Sequence, residues 1–432
     1  MKAATKMPEA QIGRSFDVHS QTLGNGLKVL LVENTTIPAV SINATVLTGA
    51  RHEPENKAGL AIMASNLLDE GTRTRSSFDI AEAIEATGGH LETDASFERV
   101  VAAATVLKQD ANLGLELVAD LLMNPIFPED YVSKEKSRTL AEIASAKDRP
   151  QVVAGWAFNE LIYGSHPLHR PAQGYPETIE RITRDDLFGF HDQFFAPNNA
   201  LLSIVGDFRI ADLLPLVERW FGPWVSRPVV MPEIPKPLRQ KERREKFIPM
   251  AAQQSNIYLG HLGIQRTNPD FYALQVLDTI LGGGAGFTAR IPQRLRDELG
   301  LAYTTFASIT MTAGLDPGRF VAYIGTSPEN TTLAIDGLLH EVRLIIDEPV
   351  SPAELQDAKD FLTGSFVFAF ESSAQIARFL IQASVYGLGF DYGQKYPGHI
   401  KDITADDISR VAGLYLDTEN YTLTVSGPME ER

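Results

Sequence analysis

Apolar and polar positions along this chain recur with two periods. The largely apolar run at 201–205 and the alternating run at 421–425 suit strands, and the β-prone runs 39–47 and 256–262 read the same way. Segments 113–123 and 332–346 instead place apolar residues three and four apart, the spacing of an amphipathic helix. Each half of the chain runs strand, helix, strands, helices, strand. That order is mixed rather than a strict βαβ alternation, which predicts an α+β fold and not a doubly wound parallel sheet.

The two halves resemble each other. Residues 175–206 read YPETIERITRDDLFGFHDQFFAPNNALLSIVG, and 396–427 read YPGHIKDITADDISRVAGLYLDTENYTLTVSG. The offset is constant without a gap: 396 less 175 and 427 less 206 both give 221. Each copy carries a threonine three residues before an aspartate, Thr183 before Asp186 and Thr404 before Asp407, which predicts a capped helix start. Between the halves, 228–248 holds four prolines and then a charge run, and reads as a linker. The expected organisation is an N-terminal domain over 1–227, the linker, and a C-terminal domain over 249–432, related by internal duplication.

Composition narrows the function without naming it. The 432 residues are 44% hydrophobic and 9% aromatic, enough apolar material for two domain cores. A formal charge of −16 argues against nucleic acid and anionic membranes as partners, and it is compatible with a basic or unfolded peptide. The absence of cysteine excludes disulfides, thiol catalysis and cysteine-based zinc sites. No apolar run reaches 18 residues, so no membrane span is expected. The first 16 residues lack the apolar core of a signal peptide, which leaves a cytoplasmic chain or an exported one whose leader has been removed.

The candidate chemistry begins at residues 59–72, GLAIMASNLLDEGT. Further pieces are Asn25-Gly26-Leu27, Gly88-Gly89, the run from Tyr163 to Pro171 that contains HPLHRP, Pro197-x-Asn199, Gly206-Asp207-Phe208, and IPQRLRDELGLAY at 291–303. In this order they resemble the M16 (pitrilysin-like) metallopeptidases, in the smaller M16B form, over nearly the whole chain. The resemblance implies a mitochondrial-processing-peptidase-like metallohydrolase fold. In the family, residues 59–72 would carry a His-x-x-Glu-His zinc motif. Its two histidines fall here on Ile62 and Asn66, and its general-base glutamate on Ser65. Positions 62 and 66 are one helical turn apart, so imidazoles there would share a face and a metal ion, which isoleucine and asparagine cannot do. The family's third ligand, a glutamate about 76 residues further on, falls on Glu142. One carboxylate beside Asn66 and Ser65 offers too few donors for tight zinc binding.

The segment 291–303 resembles the family's R/Y motif, with Arg296 and Tyr303 as the pair. Independently of that likeness, 294–299 suits a helix, Gly300 a left-handed cap, and Leu301 onward a strand, so the turn brings the two side chains together. Fixed guanidinium and phenol donors are suited to a peptide carbonyl or its developing oxyanion. Immediately before lies the glycine cluster Gly282, Gly283, Gly284, with no Lys-Ser/Thr after it, which argues against nucleotide binding. The resemblance loosely associates such glycines with substrate handling. His166 and His169 have metal-like spacing, but Pro167 between them predicts a turn, and Asp185-Asp186 and Asp406-Asp407 read as helix starts.

Taken together, the resemblance implies the non-zinc subunit of a heterodimeric M16B peptidase. Such a subunit binds no cofactor itself. It pairs with a His-x-x-Glu-His subunit that holds zinc, and it lends Arg296 and Tyr303 to cleavage of short or unfolded peptides. The alternative is a catalytically inert scaffold subunit of a larger complex.

Overall fold

The computed structural model describes residues 15–283 and 289–428, except for the side chain of Tyr303. The described residues form two compact units. The first is Asp17–Arg239 together with Ser372–Gln382; the second is Gln240–Glu371 with Ala383 onward, and includes Phe16.

The first unit is built on a six-stranded sheet. Its strands are β1 (His19–Thr22), β2 (Lys28–Glu33), β3 (Ala39–Val46), β4 (His90–Ala95), β5 (Val100–Leu107) and β6 (Ala200–Gly206). Their spatial order is β1-β2-β6-β3-β5-β4. The second unit has β7 (Arg244–Pro249), β8 (Ser255–Leu262), β9 (Ala302–Ser308), β10 (Arg319–Thr326) and β11 (Thr422–Gly427), in the order β7-β11-β8-β10-β9. With β1 set aside, the two orders correspond strand for strand. One parallel pair, β2 with β6 or β7 with β11, is followed in each sheet by three antiparallel pairings. This is the two-domain α+β fold expected from the repeated sequence.

In the first unit the core lies on one face of the sheet. Val40, Ile42, Ala44 and Val46 of β3 and Ala102, Ala104 and Val106 of β5 pack against Leu115, Val118 and Leu122 of the helix Ala111–Met123. The alternate residues of β3, Ser41, Asn43 and Thr45, are buried on the opposite face, where Thr45 Oγ1 donates to Asn43 Oδ1 at 2.8 Å. Ala374 and Ala377, from the segment Ser372–Gln382, lie over this polar face beside Ser41, Asn43 and Thr105. The side chains of Asn34 and Ser373 are 3.4 Å apart at the same place.

Both threonine caps form. Thr183 Oγ1 accepts from Asp186 N at 3.2 Å and Thr404 Oγ1 from Asp407 N at 3.1 Å, and each aspartate accepts the threonine N–H in return. The shared Tyr-Pro, by contrast, is used differently in the two copies. Tyr175-Pro176 opens the helix Pro176–Arg181, where proline's missing N–H costs nothing, whereas Pro397 lies inside the helix Tyr392–Lys401. The charge run at the end of the 228–248 segment is part of the second sheet. Arg244–Pro249 forms β7 and pairs in parallel with β11, because its backbone groups complete the outer ladder there.

Candidate functional site

The helix Leu60–Asn66 carries the positions at which the family motif would place its metal chemistry, and buried polar groups hold it in place. Glu53 accepts from the backbone N–H groups of Gly59 (2.8 Å) and Ala61 (2.9 Å), donors that a helix start leaves without internal partners. Its carboxyl is fully buried, and burial pushes it up to about 7 against these hydrogen bonds and the attraction of Arg170. Arg170, also buried, lies 3.9 Å from the Glu53 carboxylate and donates to the carbonyls of Ala50 and Glu53 at 2.9 Å each. Gly59 and Gly174 both have left-handed backbones, with φ of 98° and 79°. A Cβ on Gly174 would lie 2.1 Å from the Ala58 carbonyl oxygen, so this crossing requires glycine. The HPLHRP run thus serves the helix through Arg170. Its histidines are engaged locally: His166 Nδ1 accepts from Leu168 N at 3.2 Å, and His169 Nδ1 lies 2.9 Å from the His166 carbonyl.

Ile62 and Asn66 form the partly exposed stripe of this helix, whereas Leu60, Ala61, Met63, Ala64 and Ser65 are buried. Ser65 Oγ is enclosed and has no hydrogen-bond partner among the described residues. Asn66 Nδ2 donates at 2.8 Å to Glu135 Oε1, on the helix Glu129–Lys147. Glu142, the glutamate expected beside Asn66, is instead half-exposed and bonded to Arg138 Nη1 at 2.8 Å. Arg138 also grips Glu135 with two bonds, Nε to Oε2 at 2.8 Å and Nη2 to Oε1 at 2.7 Å. These residues do not fit zinc. Ile62 has no donor atom, the Asn66 amide is engaged, and a guanidinium bridges the two carboxylates. Among the described residues no group of three or more histidine, cysteine or acidic side chains could hold a metal ion.

Reading the sequence by family motif passed over Glu135 and Arg138. A signal was present, because 135, 138 and 142 are spaced by three and then four and so share one face of a helix. Glu53 had no such signal; only the fold brings it to the helix start.

In the second unit the R/Y segment forms a short wide-turn helix, Pro292–Glu298. Gly300 then closes it in the left-handed conformation, φ 62°, and the chain enters β9. Arg296, partly exposed, donates from Nε to Asp297 Oδ1 at 2.8 Å, and this contact holds the Asp297 carboxyl below its ordinary value. Tyr303 lies in β9 at an irregularity. Ile324 pairs with Thr305 and Thr326 with Ala302, so Gly325 alone faces Tyr303 and Thr304. The base of the glycine cluster is fixed. Asp278, fully buried with its carboxyl raised by burial, accepts from Ser308 Oγ (2.6 Å), Ile309 N (2.8 Å) and Thr310 N (2.9 Å). A Cβ on Gly282 would lie 2.5 Å from Ala307 N, so this glycine lets the chain pass close to β9. Gly283 ends the wide turn Thr279–Gly283, and Gly284 lies outside the described residues.

Comparison with known proteins agrees with this architecture. The profile described as "Insulinase (Peptidase family M16)" matches residues 28–174, and "Peptidase M16 inactive domain" matches 181–362. The chain belongs to the M16 peptidase family. A protein of Mycobacterium leprae named an uncharacterized zinc protease is 29% identical over 97% of this chain and 94% of its own length. One of Bacillus subtilis with the same description is 27% identical over 94% and 97%. The crystal structure of a peptidase M16 inactive domain from Pseudomonas fluorescens superimposes with a TM-score of 0.90 at 25% identity, covering 96% of this chain and 99% of that one. A protease from Helicobacter pylori shares the fold, with a TM-score of 0.89 at 22% identity over 96% and 100%. Among the described residues no helix is long and apolar enough to cross a membrane.

Proposed function

We propose that this chain is the non-zinc subunit of a heterodimeric M16B peptidase. The observation that carries the reading is a contrast within one chain. The helix that would bind metal presents Ile62 and an engaged Asn66, while the Arg296–Tyr303 segment keeps both of its donors. In this reading the partner contributes His-x-x-Glu-His and zinc, and with them the activation of water. Arg296 and Tyr303 donate to the scissile carbonyl and stabilise the negative charge that develops on its oxygen as water adds. The Asp297 contact holds the guanidinium ready until a carbonyl competes for it, and the short helix, Gly300 and the β9 bulge set the geometry. The glycine cluster Gly282, Gly283 and Gly284 is in this reading the substrate-handling segment, glycine allowing close approach of a peptide backbone. In this reading the N-terminal domain spans 1–227, the proline-rich linker 228–248 and the C-terminal domain 249–432.

The test is hydrolysis of an unstructured fluorogenic peptide by this chain, by an M16 subunit carrying His-x-x-Glu-His, and by their equimolar mixture. Activity is expected only in the mixture, and Arg296→Ala or Tyr303→Phe is expected to lower it at least tenfold; one oxyanion donor typically accounts for about a hundred- to a thousandfold. A partner fully active alone and indifferent to this chain would overturn the reading in favour of an inert scaffold subunit.

A further inference from the structure

The relatives are named zinc proteases, yet the corresponding positions here do not suit zinc; the structure also shows what stands there instead. Glu135 is almost wholly buried, 7% exposed, and a buried carboxylate is costly unless a cation or several donors compensate it. Its Oε1 accepts from Asn66 Nδ2 on the facing helix, from Arg138 Nη2, and from Thr139 Oγ1 at 3.3 Å; its Oε2 accepts from Arg138 Nε. The same guanidinium reaches Glu142. One planar cation therefore engages two carboxylates, and the first of these is tied to the helix Leu60–Asn66. Arginine keeps its charge at every pH at which a protein is folded. An exposed pair spaced by four on a helix contributes little to stability. The grip on Glu135 differs from such a pair because it is bidentate and its acceptor is desolvated.

We propose that Arg138 is the resident cation of this site. Its guanidinium replaces a bound metal as the positive charge linking the helices Leu60–Asn66 and Glu129–Lys147, and by holding Glu135 and Glu142 it excludes divalent cations from them. The exclusion is specific in its chemistry. Without Arg138, Glu135 is a buried carboxylate that has lost its cation, and it and Glu142 offer oxygen donors of the kind a hard divalent cation such as Mn²⁺ takes, with zinc bound more weakly for want of imidazole. The proposal is independent of the role of Arg296 and Tyr303.

Thermal unfolding in EDTA and with added Mn²⁺ or Zn²⁺ tests it. The unmodified chain is expected to melt at one temperature under all three conditions. Arg138→Gln is expected to melt several degrees lower in EDTA and to recover at least half of that loss with Mn²⁺. Arg138→Lys keeps the charge, so it is expected to melt nearer to the unmodified chain and to ignore metal. An Arg138→Gln protein that melts unchanged, or that no metal restores, would overturn the proposal. If Arg138→Gln does not fold, Ile62→His/Asn66→His with Arg138 in place decides. Zinc titration should then show binding at least tenfold weaker than stoichiometric capture at protein concentration, and stoichiometric capture would overturn the proposal.

Discussion

Glu53 makes the placement of its helix depend on proton concentration. Its carboxyl, raised by burial from 4.5 to about 7, holds its proton more tightly folded than unfolded. The stability this favours is fully present below about pH 4.5 and is lost as pH rises through 7. Between pH 5 and 8 the melting temperature is therefore expected to fall, and Glu53→Gln, which cannot ionise, should flatten that slope even while lowering stability throughout. A slope unchanged by the substitution would assign the pH dependence to other groups. Single positions were unevenly legible in the sequence. The loss of metal donors at Ile62 and Asn66 is plain from residue type alone. That Asn66 bonds Glu135 rather than standing beside Glu142 follows from the rotation of one helix against another, which no motif records. Glu53 and Arg170 are separated by more than a hundred residues and meet only once the chain is folded.

At the scale of elements, local rules worked where local physics decides. Strands at 39–47, 201–205, 256–262 and 421–425 fall within about two residues of β3, β6, β8 and β11, because short β-prone apolar runs report strands, here buried on both faces. The threonine–aspartate caps formed because both partners lie within one turn. In the C-terminal copy the Thr404 hydroxyl holds the Asp407 carboxyl below its ordinary value. Thr183→Ala and Thr404→Ala should each cost about 1 kcal/mol. Chemical denaturation should show the two losses as additive, since the caps serve helices in different units; a markedly larger loss in the double variant would mean that the caps are coupled. Charge density misled at 244–248, where a basic and acidic run looks like linker yet makes the edge strand β7. Edge strands tolerate charge because one side faces water.

At the scale of the whole molecule, the repeated sequence foretold the repeated sheet, since a duplicated pattern of apolar positions can be satisfied by a duplicated fold. What it did not foretell is the segment Ser372–Gln382. It stands in the C-terminal half of the sequence but belongs to the first unit, over the buried polar residues Ser41, Asn43 and Thr45 of β3. Nothing in its composition marks it as displaced. A fragment ending at Arg239 should therefore be less stable than the intact chain and prone to associate, and a peptide spanning 372–385 should raise its melting temperature. A fragment as stable as the parent and unmoved by the peptide would mean that the segment contributes little.

That displaced segment also sets an order of events in time. A ribosome releases this chain from its N-terminus, so the sheet β1 to β6 emerges whole while the piece that covers it is still 133 residues from synthesis, counting from 239 to 372. At 5–20 residues per second the wait is roughly seven to twenty-seven seconds. During that interval the first unit is a nascent domain with an uncovered polar face. Its completion is gated by translation speed through the second half of the message, so a slowed or stalled ribosome there would leave the unit open to chaperones and proteases.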